Sequence, residues 1–386
     1  SVFTVTKASQ AAEVLLPVLD LSGCSEDEQD VAIGRALSSL PERLRPSESG
    51  GMMSALWVDC GKGRNSRLLW CIHHFAVDGV SWRILLEDLN NLHTDSGTAL
   101  TRSGVSLKSW GKLLHTQGAM HTRSVEADIW RRQFIGVTSI VRSPELANST
   151  DYFTSVGHVA TELDSDSTKL LLTIPSLYYA QINDVLLAAL SIALQKWARL
   201  SYSLELNGPL IGLEGHGREI LSELNRATGW FTSLFPVRLP VFSLTNPKES
   251  FDVMIKAVKE CLRQFPDNGL GYGVLKYLDP QTRQEFREQR RPEIGFNYLG
   301  RFDQLNVSSE EWSIDQQGFE VSSEQEVRPR LALLEINTLV NTAGSFQIDI
   351  THFDKLHSTA DIKVLCDIFK DTLVELSQVC SRHTTR

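Results

Sequence analysis

The segment 69–89, LWCIHHFAVDGVSWRILLEDL, constrains the fold more than any other stretch of the chain. Residues 68–73 are almost continuously apolar, which predicts a strand interior to a sheet, with both of its faces covered. A turn at Asp78-Gly79 follows. Then Trp82, Leu85, Leu86, Leu89 and Leu92 recur at i, i+3, i+4, i+7 and i+10, the apolar stripe of an amphipathic helix with Ser81 as its candidate N-cap. A strand that feeds directly into such a helix calls for a layered architecture, a sheet with helices packed on it.

The rest of the chain repeats this alternation. Before the segment, 55–58 reads as a strand; after it, 107–114 and 125–134 read as helices. Between 136 and 155 the periodicity stops and Ser, Thr, Asn and Pro gather, as in a connector between two halves. Strands are expected at 159–163, 170–174, 204–211, 234–241, 293–299, 331–340 and 346–351. Helices are expected from Asn183 or Asp184 to Arg199, at 251–265 and at 359–379. Interleaved strands and helices in both halves give an α/β or mixed α+β class, with no internal repeat. A length of 386 residues accommodates two to three domains, or one domain built from two halves.

Composition removes several function classes. With 42% hydrophobic and 22% charged residues the chain is a folding sequence rather than a disordered one. Its net charge of −9, with no basic stripe, argues against a nucleic-acid partner. The longest apolar stretch, 185–194, is far short of the roughly 20 residues of a bilayer span, so it predicts a buried helix and no membrane partner. The six cysteines are dispersed, with no C-x-x-C pair and no His at metal-ligand spacing, which predicts free thiols in a reducing compartment and no metal site. Sequons at Asn148 and Asn306 follow no signal peptide, so the expected location is cytoplasmic.

Chemistry concentrates in a few places. Successive strand residues point to opposite faces, so one of His73 and His74 faces a given cleft as a candidate base while the other packs inside; a purely structural role for the pair is the competing reading. Asp78 either orients an imidazole or holds the loop. In 212–219, GLEGHGRE, glycines let the backbone turn tightly after a strand and push the Glu214 carboxylate into a cleft; the alternative is a solvated Glu in a loop. Three aromatic, Gly-rich stretches at 229–237, 269–277 and 296–302 each read as a strand or turn with a packing aromatic. In the last, the Asn297 amide and Tyr298 phenol are able to hold a developing oxyanion.

Taken in order, these stretches resemble the epimerization domains of nonribosomal peptide synthetases, a branch of the condensation-domain superfamily. The superfamily motif His-His-x-x-x-Asp-Gly is met by His73, His74, Asp78 and Gly79, and the epimerization branch continues it with Val80, Ser81, Trp82 and Arg83. Glu-Gly-His-Gly-Arg-Glu follows at 214–219, with His216 and Arg218 inside it, then Gly-Trp-Phe-Thr-Ser, Gly-x-Gly-Tyr-Gly and Phe-Asn-Tyr-Leu-Gly. The resemblance implies two chloramphenicol-acetyltransferase-like lobes, here 1–130 and 131–386, forming a V-shaped pseudodimer with the active site in a tunnel at the seam. A peptidyl carrier domain, upstream in the same synthetase, would present an aminoacyl or peptidyl thioester on its 4'-phosphopantetheine arm, and a condensation domain would follow downstream.

What the resemblance further implies is a cofactor-independent isomerase that inverts Cα. His74 and Glu214 would be its acid-base pair, with Tyr298 also catalytic and Asn297 and Ser81 near the substrate or oxyanion. His73, Asp78, Gly79, Trp82, His216 and Arg218 would be structural motif residues. A condensing, amide-forming domain shares the His-His motif but lacks the glutamate, so Glu214 discriminates between the two; a catalytically silent carrier-docking module is a third reading. The family's opening Pro-Ile-Gln segment and earlier His-His-Asp-Ala-Leu-Arg motif are not found before His73, so the first lobe is expected to be incomplete at its start.

Overall fold

The structure is a computed structural model, and it describes residues 16–48, 50–95, 97–100, 104–140, 156–242, 247–302 and 332–381. Most of the expected connector and both sequons lie outside these residues, as does the side chain of Cys380. The chain divides into two compact units. Residues 16–100 form the first together with Arg226–Trp230, and the second takes the remaining described residues.

In the first unit β1 (Val18–Asp20) is followed by α1 (Glu26–Ser39), β2 (Met53–Asp59), β3 (Arg67–Ile72) and α2 (Gly79–Thr94). The sheet order is β1-β2-β3, with β1 parallel and β3 antiparallel to β2. α1 begins on acidic residues, which favour a helix N-terminus, and the Glu28 carboxylate accepts the Ser25 N–H at 2.9 Å. It buries Ile33 with Leu56, Val58 and Leu69.

Two expectations change here. Among the described residues β3 stands at the sheet edge, not in its interior. Its apolar run has another cause: Leu69 and Cys71 face the α1 core while Trp70 meets Trp82 of α2 edge to face at 5.4 Å. The N-cap of α2 is Asp78, whose Oδ1 accepts the Ser81 N–H at 2.9 Å, so Ser81 lies inside the first turn.

The second unit contains α3 (Leu107–Ala119), α4 (Ala127–Gln133), β4 (Val156–Leu163), α5 (Ser165–Leu177), α6 (Ile182–Tyr202), β5 (Leu210–Gly215) and β6 (Ser233–Arg238). There follow α7 (Pro247–Arg263), α8 (Leu270–Tyr277), α9 (Arg283–Glu288), β7 (Ile294–Arg301), β8 (Leu334–Val340), β9 (Phe346–Phe353) and α10 (Thr359–Ser381). Helices α3 and α4, which the sequence assigned wholly or partly to the first lobe, cluster with this unit. Its mixed sheet runs β4-β9-β8-β7-β5-β6, with parallel pairs only at β5–β7 and β7–β8.

One face of this sheet is apolar: Ile211, Leu213, Phe296, Ile336, Phe346, Ile348 and Ile350 alternate inward along their strands into a core shared with α6 and α10. The other face carries Glu214, Asn297, Asn337 and Asp349 at matched register. Residues 185–194 are buried throughout, as expected for a core helix. No single helix among the described residues is long and apolar enough to cross a membrane; only α5 and α6 taken together pass, and they are bent by 110°.

Three local expectations are corrected. Residues 170–174 lie in helix α5, started by Asp164, which accepts the Ser167 N–H at 2.8 Å and leaves Leu171 and Ile174 buried on one side. Residues 212–215 are strand, not loop, because they pair with 233–236 of β6. Residues 270–277 are helical rather than strand or turn.

Candidate active site

The histidine motif occupies the connection between β3 and α2. The His73 backbone closes onto the sheet through its N–H to Met52 O at 2.8 Å, and His73 Nδ1 accepts the Phe75 N–H at 3.2 Å, tying this imidazole into the turn. The next side chain, His74, is exposed and rests against Trp230, with ring centroids 4.7 Å apart and planes at 51°. Trp230 in turn stacks on Phe75 at 5.7 Å. Gly79, as the first helical residue, has open space where a Cβ would stand.

Asp78 and Ser81 are spent on structure. Both are buried, and the Ser81 hydroxyl lies 2.8 Å from Asp78 Oδ1 and 3.0 Å from Gly229 O while accepting the Gly229 N–H at 3.0 Å. Ser81, expected near the substrate, has no exposed surface and staples α2 to the segment Arg226–Trp230 through these bonds. Arg226 strengthens the same seam with ion pairs to Glu87, at 2.7 Å, and Asp88.

In the second unit Glu214 stands near the end of β5 on the polar face of the sheet, half-buried. Leu213 is in register with Phe296, which brings Asn297 beside Glu214, and the Asn297 Nδ2 donates to Glu214 Oε2 at 2.9 Å. Tyr298 is one residue further along β7 and therefore faces the other way: its ring packs with the core, 6.4 Å from Phe346. The structure brings Glu214 and Asn297 together and leaves Tyr298 apart from them.

The residues after Glu214 make a tight turn. Gly217 has φ +64°, and a Cβ there would stand 1.9 Å from the Phe231 carbonyl oxygen, so only glycine fits. Arg218 is buried; it donates to His216 O at 3.1 Å and lies over the Phe231 ring at 4.5 Å. His216 is exposed and pairs with Glu219 at 3.0 Å. Burial raises the Glu219 pKa, but the His216 hydrogen bond and further polar contacts outweigh it and hold the carboxyl below its usual range.

The sequence did not single out Trp230 or Phe75 as neighbours of His74. The only signal was the Gly-Trp-Phe-Thr-Ser stretch itself, whose tryptophan is set off from His74 by more than a hundred residues of chain. Among the described residues no group of three or more His, Cys, Asp or Glu side chains is arranged to hold a metal ion.

Comparison with known proteins places this geometry in context. The family described as "Condensation domain" matches residues 3–386. Chondramide synthase cmdD of Chondromyces crocatus is 31% identical over 390 residues, and surfactin synthase subunit 2 of Bacillus subtilis (strain 168) is 30% identical over 392. These cover 96% and 98% of this chain, which itself spans only 9% and 10% of those much longer proteins. Among solved structures, the epimerization domain from the third module of tyrocidine synthetase B superposes with TM-score 0.80 at 26% identity, over 95% of this chain and 79% of that one. The first condensation domain of the CDA synthetase gives TM-score 0.62 at 16% identity over 94% and 75%, a likeness of fold. With two sheets, helices packed on them and a family match along nearly its whole length, the chain belongs to the condensation-domain family of nonribosomal peptide synthetases.

Proposed function

We propose that this chain is an epimerization domain, inverting Cα of an aminoacyl or peptidyl thioester carried on a 4'-phosphopantetheine arm. The observation that carries the reading is Glu214, a carboxylate held by Asn297 at the end of β5 in the position where the condensing branch has no glutamate. The higher similarity to the tyrocidine epimerization domain, TM-score 0.80 against 0.61 to 0.68 for the cyclization and CDA condensation domains, supports the same choice.

The chemistry needs no redox step. A base takes the Cα proton, the C–H electron pair moves onto the thioester carbonyl oxygen as an enolate, and an acid returns a proton to the opposite face as the carbonyl re-forms. We assign these two roles to His74 and Glu214, each serving one direction of the reversible reaction, and Asn297 to holding Glu214. General acid-base assistance contributes on the order of 10²–10⁴ in rate, so positioning must supply much of the remainder. The two lobes are proposed as 1–130 and 131–386, the partner as a carrier domain upstream in the same synthetase, and the setting as cytoplasmic.

The test is deuterium wash-in at Cα of a carrier-bound aminoacyl thioester, with His74→Ala and Glu214→Gln alongside. Loss of exchange in both variants is expected; exchange that persists unchanged in both overturns the assignment. A dipeptide formed with a second loaded carrier would point to condensation instead.

A further inference from the structure

His74 is a proton-transfer candidate with an unusual support. An acid-base histidine is ordinarily oriented by a hydrogen bond to its second ring nitrogen, yet among the described residues no hydrogen bond holds the His74 imidazole. Its neighbour His73 is tied to the turn through Nδ1, whereas His74 projects from the same turn exposed. What meets its ring is the Trp230 indole, centroid to centroid at 4.7 Å and tilted by 51°, within the range of favourable aromatic pairs. Phe75 backs the indole from the side at 5.7 Å, nearly parallel at 22°.

Trp230 and Phe75 remain 43% and 48% exposed, so burial of the indole is not what fixes this arrangement. The backbone next to Trp230 is fixed instead. Gly229 exchanges contacts with the buried Ser81 hydroxyl through both its N–H and its carbonyl, at 3.0 Å each, and Arg226 is clamped by Glu87 and Asp88 further along α2. The segment Arg226–Trp230 is thus bolted at two points onto the helix that His74 precedes, and its last residue is delivered to the imidazole.

We infer that Trp230 is a positioning residue for His74: seated on α2 by Ser81 and Arg226, its indole restricts the His74 side chain to the rotamer from which it exchanges a proton with Cα. The inference rests on the epimerase reading for the reaction, and on the described contacts alone for the positioning.

The test combines kinetics with a direct view of the imidazole. In the chain joined to its carrier domain, Trp230→Ala is expected to lower kcat for Cα deuterium wash-in by about 10- to 100-fold, the scale of a misplacement near 1 Å, with KM within about twofold. Trp230→Phe, which keeps an aromatic face, is expected to recover most of the rate. In ¹H–¹³C spectra of histidine-labelled protein, with the His74 signals assigned from His74→Gln, Trp230→Ala is expected to move those signals and Trp230→Phe to return them part of the way.

Should Trp230→Ala fail to fold, Arg226→Ala leaves the indole in place but loosens its seat, and a several-fold loss of kcat with broadened His74 signals is expected. Unmoved His74 signals in Trp230→Ala, or a raised KM with kcat unchanged, overturn the inference. If wild-type wash-in persists in His74→Ala, the epimerase assignment of His74 falls while the spectra still decide whether Trp230 positions the ring.

Discussion

The side-chain amide of Asn297 donates to Glu214 Oε2 at 2.9 Å, linking the neighbouring parallel strands β7 and β5 on the polar face of their sheet. An amide that donates to a carboxylate restricts the rotamer of that carboxylate. Because the two residues come from strands whose register is set by an apolar face, the orientation of Glu214 is a consequence of core packing.

Asn297→Ala removes this donor. A hydrogen bond to a charged group contributes about 1.5–3 kcal/mol, so a loss of about 10- to 100-fold in Cα deuterium exchange is expected. Asn297→Asp sets a second carboxylate beside Glu214 and is expected to be worse. An Asn297→Ala protein exchanging at the wild-type rate would remove this residue from the site.

Ser81→Ala deletes the one hydroxyl that both accepts the Gly229 N–H and contacts Asp78. A buried N–H is then left without its acceptor, at a cost of about 1–3 kcal/mol. The urea midpoint is expected to fall accordingly; an unchanged midpoint would mean that the staple carries no stability.

Gly217 and Gly273 are expected to respond oppositely to alanine. At Gly217 the backbone is left-handed and the new Cβ meets the Phe231 carbonyl, so Gly217→Ala is expected to lower the melting temperature by several degrees or to abolish soluble expression. Gly273 lies inside α8 with open space around it, and Gly273→Ala is expected to stabilise by about 0.5–1 kcal/mol. Equal shifts in the two variants would contradict the geometry.

His352 sets a pH dependence. It is fully buried on β9, and that burial, only partly offset by Asp354, holds its pKa below the ordinary value of 6.5. The folded imidazole resists protonation while the unfolded one accepts it, so this contribution to stability is complete above pH 6.5 and declines as pH falls below it, through the lowered folded value. Urea midpoints measured from pH 7.5 to 5 are expected to drop on the acid side and to drop less in His352→Asn. Parallel slopes for the two proteins would exclude His352 as the source.

Much of the architecture was readable from periodicity. The stripe from Trp82 to Leu92, the apolar run 185–194 within α6 and the alternating β7, β8 and β9 each carry their own pattern, and each forms the element that pattern directs. The misreadings share physical causes. Residues 170–174 form a short apolar run with β-branched members, which fits a strand or a buried helix equally, and Asp164, the cap that decides the matter, lies outside the run. Gly212 and Gly215 read as loop glycines, yet both lie in β5, where a Cβ on Gly215 would crowd Ser233 Oγ at 2.8 Å and the Asn268 carbonyl at 3.0 Å. α1 carries no clear apolar stripe, because its sequence is mostly polar and acidic, although Ile33 in its middle is fully buried.

At the candidate site, His74, Glu214 and Asn297 were recognisable by residue type and motif. For Ser81 and Tyr298 the sequence shows a hydroxyl but not its surroundings: only the fold reveals that Ser81 is buried against Gly229 and that the Tyr298 ring packs near Phe346. Nothing in the sequence around Trp230 indicates that its ring meets the distant turn at His74.

The staple between Ser81 and Gly229 spans 148 positions of sequence. During synthesis, therefore, α2 and its turn emerge long before the strand of chain that locks them, and the first unit waits, unfinished, while α3 through β5 are translated. Contacts closed over so long a loop form late and slowly. A break placed between these partners does not release two self-sufficient halves, since Arg226–Trp230, a piece of the first unit, is encoded within the second's stretch of chain.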